Sequence, residues 1–327
     1  MDLLDRLSLD VPVGQAGMGG GLAGPQLAAA VAAAGGLGTL GLLPARELRD
    51  SIAEVRARAP GRAVAVNLLT PFLRRSQISV CIRERIDVAV VAFGGDRDLV
   101  EKLRAAGIFV FVMVGTAEQT RRAVSWRADG LIAQGCEAGG HLCGTTEALS
   151  FLPQALALAD GRPVLLAGGI ATADDTRAAL ATGASGAIAG TRFLLTHESQ
   201  AHPEYQRRVL AADSTLRTTL FGLGWPAPHR VIPNAATRRW CDADGTAKMA
   251  PRIINARSAV LARLPGAASV ARIQTPRLPL YSPVAPTVGM PATAVDRAAC
   301  YAGQTALRMS SVTSAAEALR DLSPEGQ

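Results

Sequence analysis

Along the chain, short apolar runs rich in β-branched residues alternate with longer stretches whose apolar residues recur every three or four positions. The short runs fall at 11–17, 38–43, 63–69, 88–94, 108–114, 130–135, 163–170 and 186–190. Between most of them lie amphipathic segments such as ARELRDSIAEVRARA, DLVEKLRAAG, TAEQTRRAVSWRA and TADDTRAALATG. Several close on glycine, as a helix C-cap does, and Thr116 and Thr172 stand at N-cap positions. The segment SQISVCI reads equally well as helix or strand.

Eight strands apolar on both faces, each followed by a helix, predict an α/β fold, a parallel sheet closed into a (β/α)8 TIM barrel. An open doubly wound sheet is the alternative. Eight strands by about residue 190 suit a barrel of typical size. Past residue 200 the rhythm breaks. Proline-rich stretches (GWPAPHRVIP, TPRLPLYSPVAPTVGMP) take over, with helix-like segments at 246–263 and around 293–308. The chain therefore divides into a barrel core, 1–200, and a C-terminal extension, 201–327, expected to pack over the barrel and its active site.

Composition adds constraints. With 327 residues and 49% hydrophobic content the chain can bury a sizeable core, but only 4% is aromatic, so that core is Ala, Val, Leu and Ile. The net charge of +7 comes from dispersed arginines without a basic run. That argues against a nucleic-acid arm and is compatible with small anionic substrates. MDLLDRLSLD does not resemble a secretory signal, and no uninterrupted apolar stretch is long enough to span a membrane. Five cysteines, an odd number, suit reduced thiols, and a cytoplasmic location is expected.

Chemistry in such a barrel collects in the loops after the strands. The seventh strand ends in AGGI, with Gly168 and Gly169; the eighth ends in AGTRF, with Gly190 and Thr191. Paired glycine loops there suit a ligand phosphate approaching backbone N–H groups. After the sixth strand comes QGCEAGGHLCG, whose glycines bring backbone near a ligand and place His141 over it as base, acid or hydrogen-bond donor. GQAGMGGG after the first strand and Asn67 on the third converge on the same end. Cys136, His141 and Cys143 lack a fourth nearby ligand and no CxxC pair exists, so no metal is expected. Glu137 has no partner carboxylate in view. GxSxG, Walker A and HExxH signatures are missing, and AVAAAGGLGTLG has the wrong order for a dinucleotide loop.

These motifs resemble the nitronate monooxygenase family, FMN-dependent (β/α)8 barrels. The resemblance spans nearly the whole chain, from VPVGQAGMGG through VNLL, QGCEAGGH and PVLLAGGIATADDTRAALATGASGAIAGTRF to YAGQ. It implies FMN contacts from Asn67, Gln134, Gly139, Gly169, Gly190 and Thr191. It also implies that Gly17 and Met18 face the flavin ring, that Gln304 lies near it, and that His141 is the active-site histidine. The implied reaction is oxidation of alkyl nitronates, such as propionate 3-nitronate, by O2 to a carbonyl compound and nitrite. The partners would be a small anionic or nitro substrate and O2, in a monomer or homodimer. Leu142 and Cys143 separate His141 from Gly144, where many members have one residue. The rival readings are a flavin-dependent enoyl-acyl-carrier-protein reductase using NAD(P)H, and a flavin-binding protein without turnover.

Overall fold

The computed structural model describes residues 3–258 and 274–324. Its central strands are β1 (Val13–Gln15), β2 (Thr39–Leu40), β3 (Ala65–Leu69), β4 (Val88–Ala92), β5 (Phe109–Val114) and β6 (Gly130–Gln134). The two-residue β7 (Gly140–His141) stands apart, and β8 (Val164–Ala167) and β9 (Gly186–Ala189) complete the set. Eight of these form one parallel sheet in the order β1-β9-β8-β6-β5-β4-β3-β2. The ring closes beside β1. There the Leu37 N–H donates to the Val13 carbonyl at 3.0 Å, and the Gln15 N–H donates to the Leu37 carbonyl at 2.9 Å. The fold is a (β/α)8 barrel.

Strand periodicity sorts the side chains. Val66, Leu68, Ala89, Val91, Leu131 and Ala133 pack outward against the helices. Their neighbours Ala65, Val88, Val90, Ile132, Leu165 and Ile188 fill the barrel interior. Both faces are buried, which is why the strands read as continuous apolar runs. The short helix α1 (Leu3–Leu7) plugs the bottom, its Leu3 and Leu7 joining the interior cluster.

The outer layer holds α2 (Pro25–Ala33), α3 (Ala45–Arg58), α4 (Arg75–Arg83), α5 (Arg97–Ala105), α6 (Ala117–Ser125), α7 (Ala148–Leu158) and α8 (Ala173–Ala181). SQISVCI is helical, within α4. Its buried positions, Gln77, Val80 and Cys81, follow helical spacing and pack beneath exposed Ser76 and Ser79. Thr116 caps α6 by accepting from the Gln119 N–H at 3.2 Å.

The boundary expected near residue 200 separates most of the barrel from the irregular part, but the chain returns. The last described helix, Ala315–Leu322, packs against α2 and α8 and joins the outer core through Ala315, Ala318, Leu319 and Leu322. It fills the place of the eighth barrel helix. Buried Arg192 anchors it, donating to Asp321 at 2.7 Å and to Thr313 at 2.8 Å. The preceding region carries α9 (Thr191–Leu194), α10 (Pro203–Leu210), β10 (Leu216–Thr218), β11 (His229–Val231), α11 (Ala235–Trp240) and α12 (Met249–Arg257). Of the helix expected over 246–263, Met249–Arg257 is observed as α12, 246–248 and 258 are not helical, and 259–263 lie outside the described residues. The segment around 293–308 forms two 3₁₀ turns, Ala292–Asp296 and Gln304–Arg308. Gly303, just before the second turn, is extended and held in backbone contact with Gly139.

Candidate active site

Inward alternation places Asn67 and Gln134 at the top of the barrel interior, above Ala65 and Ile132. The Asn67 Nδ2 donates to the Gly17 carbonyl at 2.6 Å and fixes the loop after β1. Gly17 has room for no side chain: a Cβ there would stand 2.4 Å from that of Asn67. The Asn67 Oδ1 is buried with no hydrogen-bond partner. Gln134 braces the histidine loop. Its Nε2 donates to the His141 carbonyl at 3.0 Å, and its Oε1 accepts from the Cys143 N–H at 2.8 Å. Leu142, between them, donates its N–H to the Pro228 carbonyl at 2.9 Å. The two residues separating His141 from Gly144 are therefore tied down by backbone bonds.

The loops after β8 and β9 lie on the same face. Gly168 and Gly169 sit at φ +115° and +73°, the left-handed region that suits glycine. Asp175 orders the turn beyond them, its Oδ2 accepting from the Ala171 and Thr172 N–H groups at 2.8 Å. Arg308 reaches in from the C-terminal part to bond Asp175 Oδ1 at 2.9 Å. The Thr191 hydroxyl accepts from the Gly303 N–H at 2.9 Å, so the loop after β9 and the YAGQ segment form one wall. Gln304 does not line the cavity. Its side chain is exposed and its N–H donates to the Glu137 carbonyl at 3.0 Å, while Gly303 and Thr305 line the wall. Gly139 fits against this segment because a Cβ would meet the Gly303 nitrogen at 2.5 Å.

Glu137 is no partner for His141. Its carboxylate accepts from the Ala148 N–H at 2.9 and 3.1 Å, at the start of α7. His141 instead lies on β7, which pairs antiparallel with β11 in a second, three-stranded sheet; His229 is directly opposite. The imidazole stacks on Trp225, with centroids 3.7 Å apart and planes at 16°. Phe93, Tyr301 and His229 surround it at 6.0, 5.5 and 5.0 Å. Its Nε2 is buried without a partner. Burial, and then the neighbouring His229, push its pKa well below the ordinary histidine value. Burial also lowers His229, to about 4. Both rings are neutral at pH 7.

Gly17, Met18, Asn67, Gln134, Gly139, His141, Gly168, Gly169, Gly190 and Thr191 all line one cavity of about 360 Å³. No Lys, Arg, Asp or Glu lines it among the described residues. Its outer wall is aromatic: Phe72, Phe93, Trp225 and Tyr301. Sequence reasoning missed these four. Phe93 sits at φ +62°, a strained conformation for a bulky residue, beside Gly94 and Gly95 at φ +132° and +105°. The GG dipeptide after the fourth strand was the available signal. Trp225 lay inside GWPAPH, in a stretch without periodicity.

The sequence model of the nitronate monooxygenase family matches residues 2–75 and 42–325, nearly the whole chain. The chain belongs to the nitronate monooxygenase family. It is similar to the nitronate monooxygenase of Pseudomonas aeruginosa, at 32% identity over 70% of this chain and 78% of that protein. It is 36% identical to an octahydroindene-carboxyl-CoA dehydrogenase of Rhodococcus jostii, over 70% of this chain; the match spans 65% of that protein's length. Among solved structures, the nitroalkane oxidase of Streptomyces ansochromogenes superposes with a TM-score of 0.79 at 28% identity, covering 98% of this chain and 96% of that one. No helix among the described residues is long and apolar enough to cross a membrane.

Proposed function

We propose that the chain binds FMN and oxidises apolar alkyl nitronates with O2 to a carbonyl compound and nitrite. The observation that carries this is the neutral His141 facing a charge-free, aromatic-walled cavity beside glycine loops suited to a phosphate. The residues fit the cofactor. The cavity is within the range of small-ligand sites, Asn67 Oδ1 offers an unpaired acceptor, and the Gly168–Gly169 and Gly190–Thr191 loops present backbone to one phosphate. The bound flavin would supply the redox chemistry. Met18 and Gly17 would sit along the ring, and the loops after β8 and β9 would hold the phosphate.

His141 would contribute one N–H as a neutral donor to the nitro oxygens of a pre-formed nitronate. In a cavity with no cation, that donor is the principal polar contact for the anion. The same lack of charge disfavours a second carboxylate, because an unpaired buried charge is costly. Substrates with an alkyl or ring substituent should therefore outperform propionate 3-nitronate. Purified protein should be yellow and release FMN on denaturation. It should convert an apolar nitronate to nitrite with O2 uptake, and NADH alone should leave it oxidised. Colourless protein that takes up no FMN would end this reading, and rapid bleaching by NADH would favour an enoyl reductase.

The uncharged aromatic wall and the Rhodococcus jostii relative favour a second reading, dehydrogenation of an apolar acyl-CoA. Anaerobic flavin bleaching by such a thioester, without nitrite formation from nitronates, would select it.

A further inference from the structure

A histidine that works on a ligand is usually oriented by a hydrogen bond to its second ring nitrogen. His141 has no such bond. No group among the described residues hydrogen-bonds either ring nitrogen, and Glu137 is engaged at α7. Its orientation must come from ring contacts. The closest is Trp225, whose plane lies nearly parallel to the imidazole. Trp225 is in turn edged by Phe72 at 5.5 Å and Phe93 at 5.0 Å.

The segment that presents Trp225 is firmly held. The His229 Nε2 accepts from the Phe221 N–H at 3.3 Å and its Nδ1 pairs with the Ala227 carbonyl at 3.0 Å, so one imidazole clasps both sides of the turn. Because Nε2 accepts, the proton is on Nδ1. The Asn255 Nδ2 donates to the Thr219 and Leu220 carbonyls, and the Ser258 hydroxyl accepts from the Gly224 N–H at 2.7 Å. The Leu223 N–H donates to the Tyr281 carbonyl at 3.1 Å.

We infer that Trp225 is a positioning residue for His141, orienting its ring by stacking and sealing it from water, and that His229 clasps the turn which delivers it. This rests on the reading of His141 as the residue that meets substrate. The titratable rings facing His141 are His229 and Tyr301, and Cys143 lies two residues on. Tyr301 donates its hydroxyl to the Pro283 carbonyl at 3.0 Å, and burial pushes the Cys143 thiol up to about 12. Neither competes with His141 for protons near neutrality.

The chain has four histidines, so histidine-labelled protein, flavin bound as purified, gives an assignable ring spectrum in NMR. The His141→Asn variant identifies the relevant signals. Wild-type His141 should show an upfield ring-current displacement and stay neutral well below pH 6.5. Trp225→Ala should abolish the displacement and raise the titration midpoint toward about 6.5. It should lower kcat/KM by about tenfold to a hundredfold at unchanged flavin content. Trp225→Phe should restore both spectrum and rate to within about threefold. His229→Gln, which leaves Trp225 in place, should shift the His141 signals partway and carries the test if the alanine variant does not fold. Unchanged His141 signals and titration in Trp225→Ala, or in His229→Gln where that variant stands in, would overturn the inference. Full activity in His141→Asn, with the Trp225→Ala shifts still observed, would leave the positioning intact and sink only the functional reading.

Discussion

Replacing Gln134 with leucine separates two roles that one side chain can hold, bracing the histidine loop and touching a cofactor. In the structure its carboxamide joins two backbone groups seven and nine residues ahead, at 3.0 and 2.8 Å, in a buried setting. Leucine keeps the bulk but orphans the His141 carbonyl and the Cys143 N–H. Each unsatisfied group costs about 1–3 kcal/mol, about 2–6 kcal/mol together. At about 2–4 °C per kcal/mol for a domain approaching this size, the apoprotein should melt roughly 4–24 °C lower. The Cys143 amide should lose its hydrogen-exchange protection. Gln134→Glu makes the mechanism pH-dependent. Its carboxylate can accept from the Cys143 N–H but repels the His141 carbonyl, so the fold favours the protonated acid and raises its pKa. That contribution is fully present below the unfolded value of about 4.3 and is lost as pH rises through the folded pKa. Thermal scans of flavin-free protein at pH 5 and pH 8 measure both effects. An apoprotein of wild-type stability in Gln134→Leu, with only flavin affinity reduced, would refute the bracing role.

Gly139→Ala places a Cβ 2.5 Å from the Gly303 nitrogen, which is backbone and cannot swing aside. Denaturant titration should show a loss of about 1–3 kcal/mol or more, together with reduced turnover. Gly140→Ala meets nothing within 4 Å but sits at φ +76°, so it should cost about 1–2 kcal/mol, from backbone strain alone. His141 and His229 are buried and neutral when folded, whereas unfolded histidines take up protons from about pH 6.5 downward. Stability is therefore lost as pH falls below about 6.5, by up to about 1.4 kcal/mol per pH unit for each ring, the His229 share continuing down to about 4. Urea unfolding between pH 7.5 and 5 should show that slope, and His229→Gln should flatten it by roughly half. Asp321→Ala removes the carboxylate that accepts from buried Arg192 and should expose the last helix to limited proteolysis while the barrel core stays intact.

The barrel was readable because the strands are buried on both faces and most βα turns carry their own glycines. Those signals are local, so Gly168, Gly190 and the position of His141 could be placed before any contact was known. Asn67 was also legible, since the polar residue in VNLL interrupts an apolar run at an inward position. What orients the histidine was not. Trp225 comes from a turn with neither periodicity nor a cap, and its approach to His141 depends on β7 pairing with β11, strands too short to leave a pattern. Glu137 was a natural partner by sequence distance, but in three dimensions its carboxylate turns to the start of α7. Gln304 failed as a lining residue for a related reason. A 3₁₀ turn points its side chain outward while the flanking Gly303 and Thr305 face in.

The pairing of β7 with β11 also orders events during synthesis. A ribosome adding about 5–20 residues per second releases β9, and with it the material for a closed ring of strands, before β11 exists. His141 waits without its opposite strand and without Trp225 until residues 229–231 arrive. The eighth position of the helical layer stays open longer still, until Ala315–Leu322 emerges. The surroundings of His141 are thus assembled late, from segments made far apart in time. A nascent chain can have its strands in place and yet lack the assembled surroundings of His141.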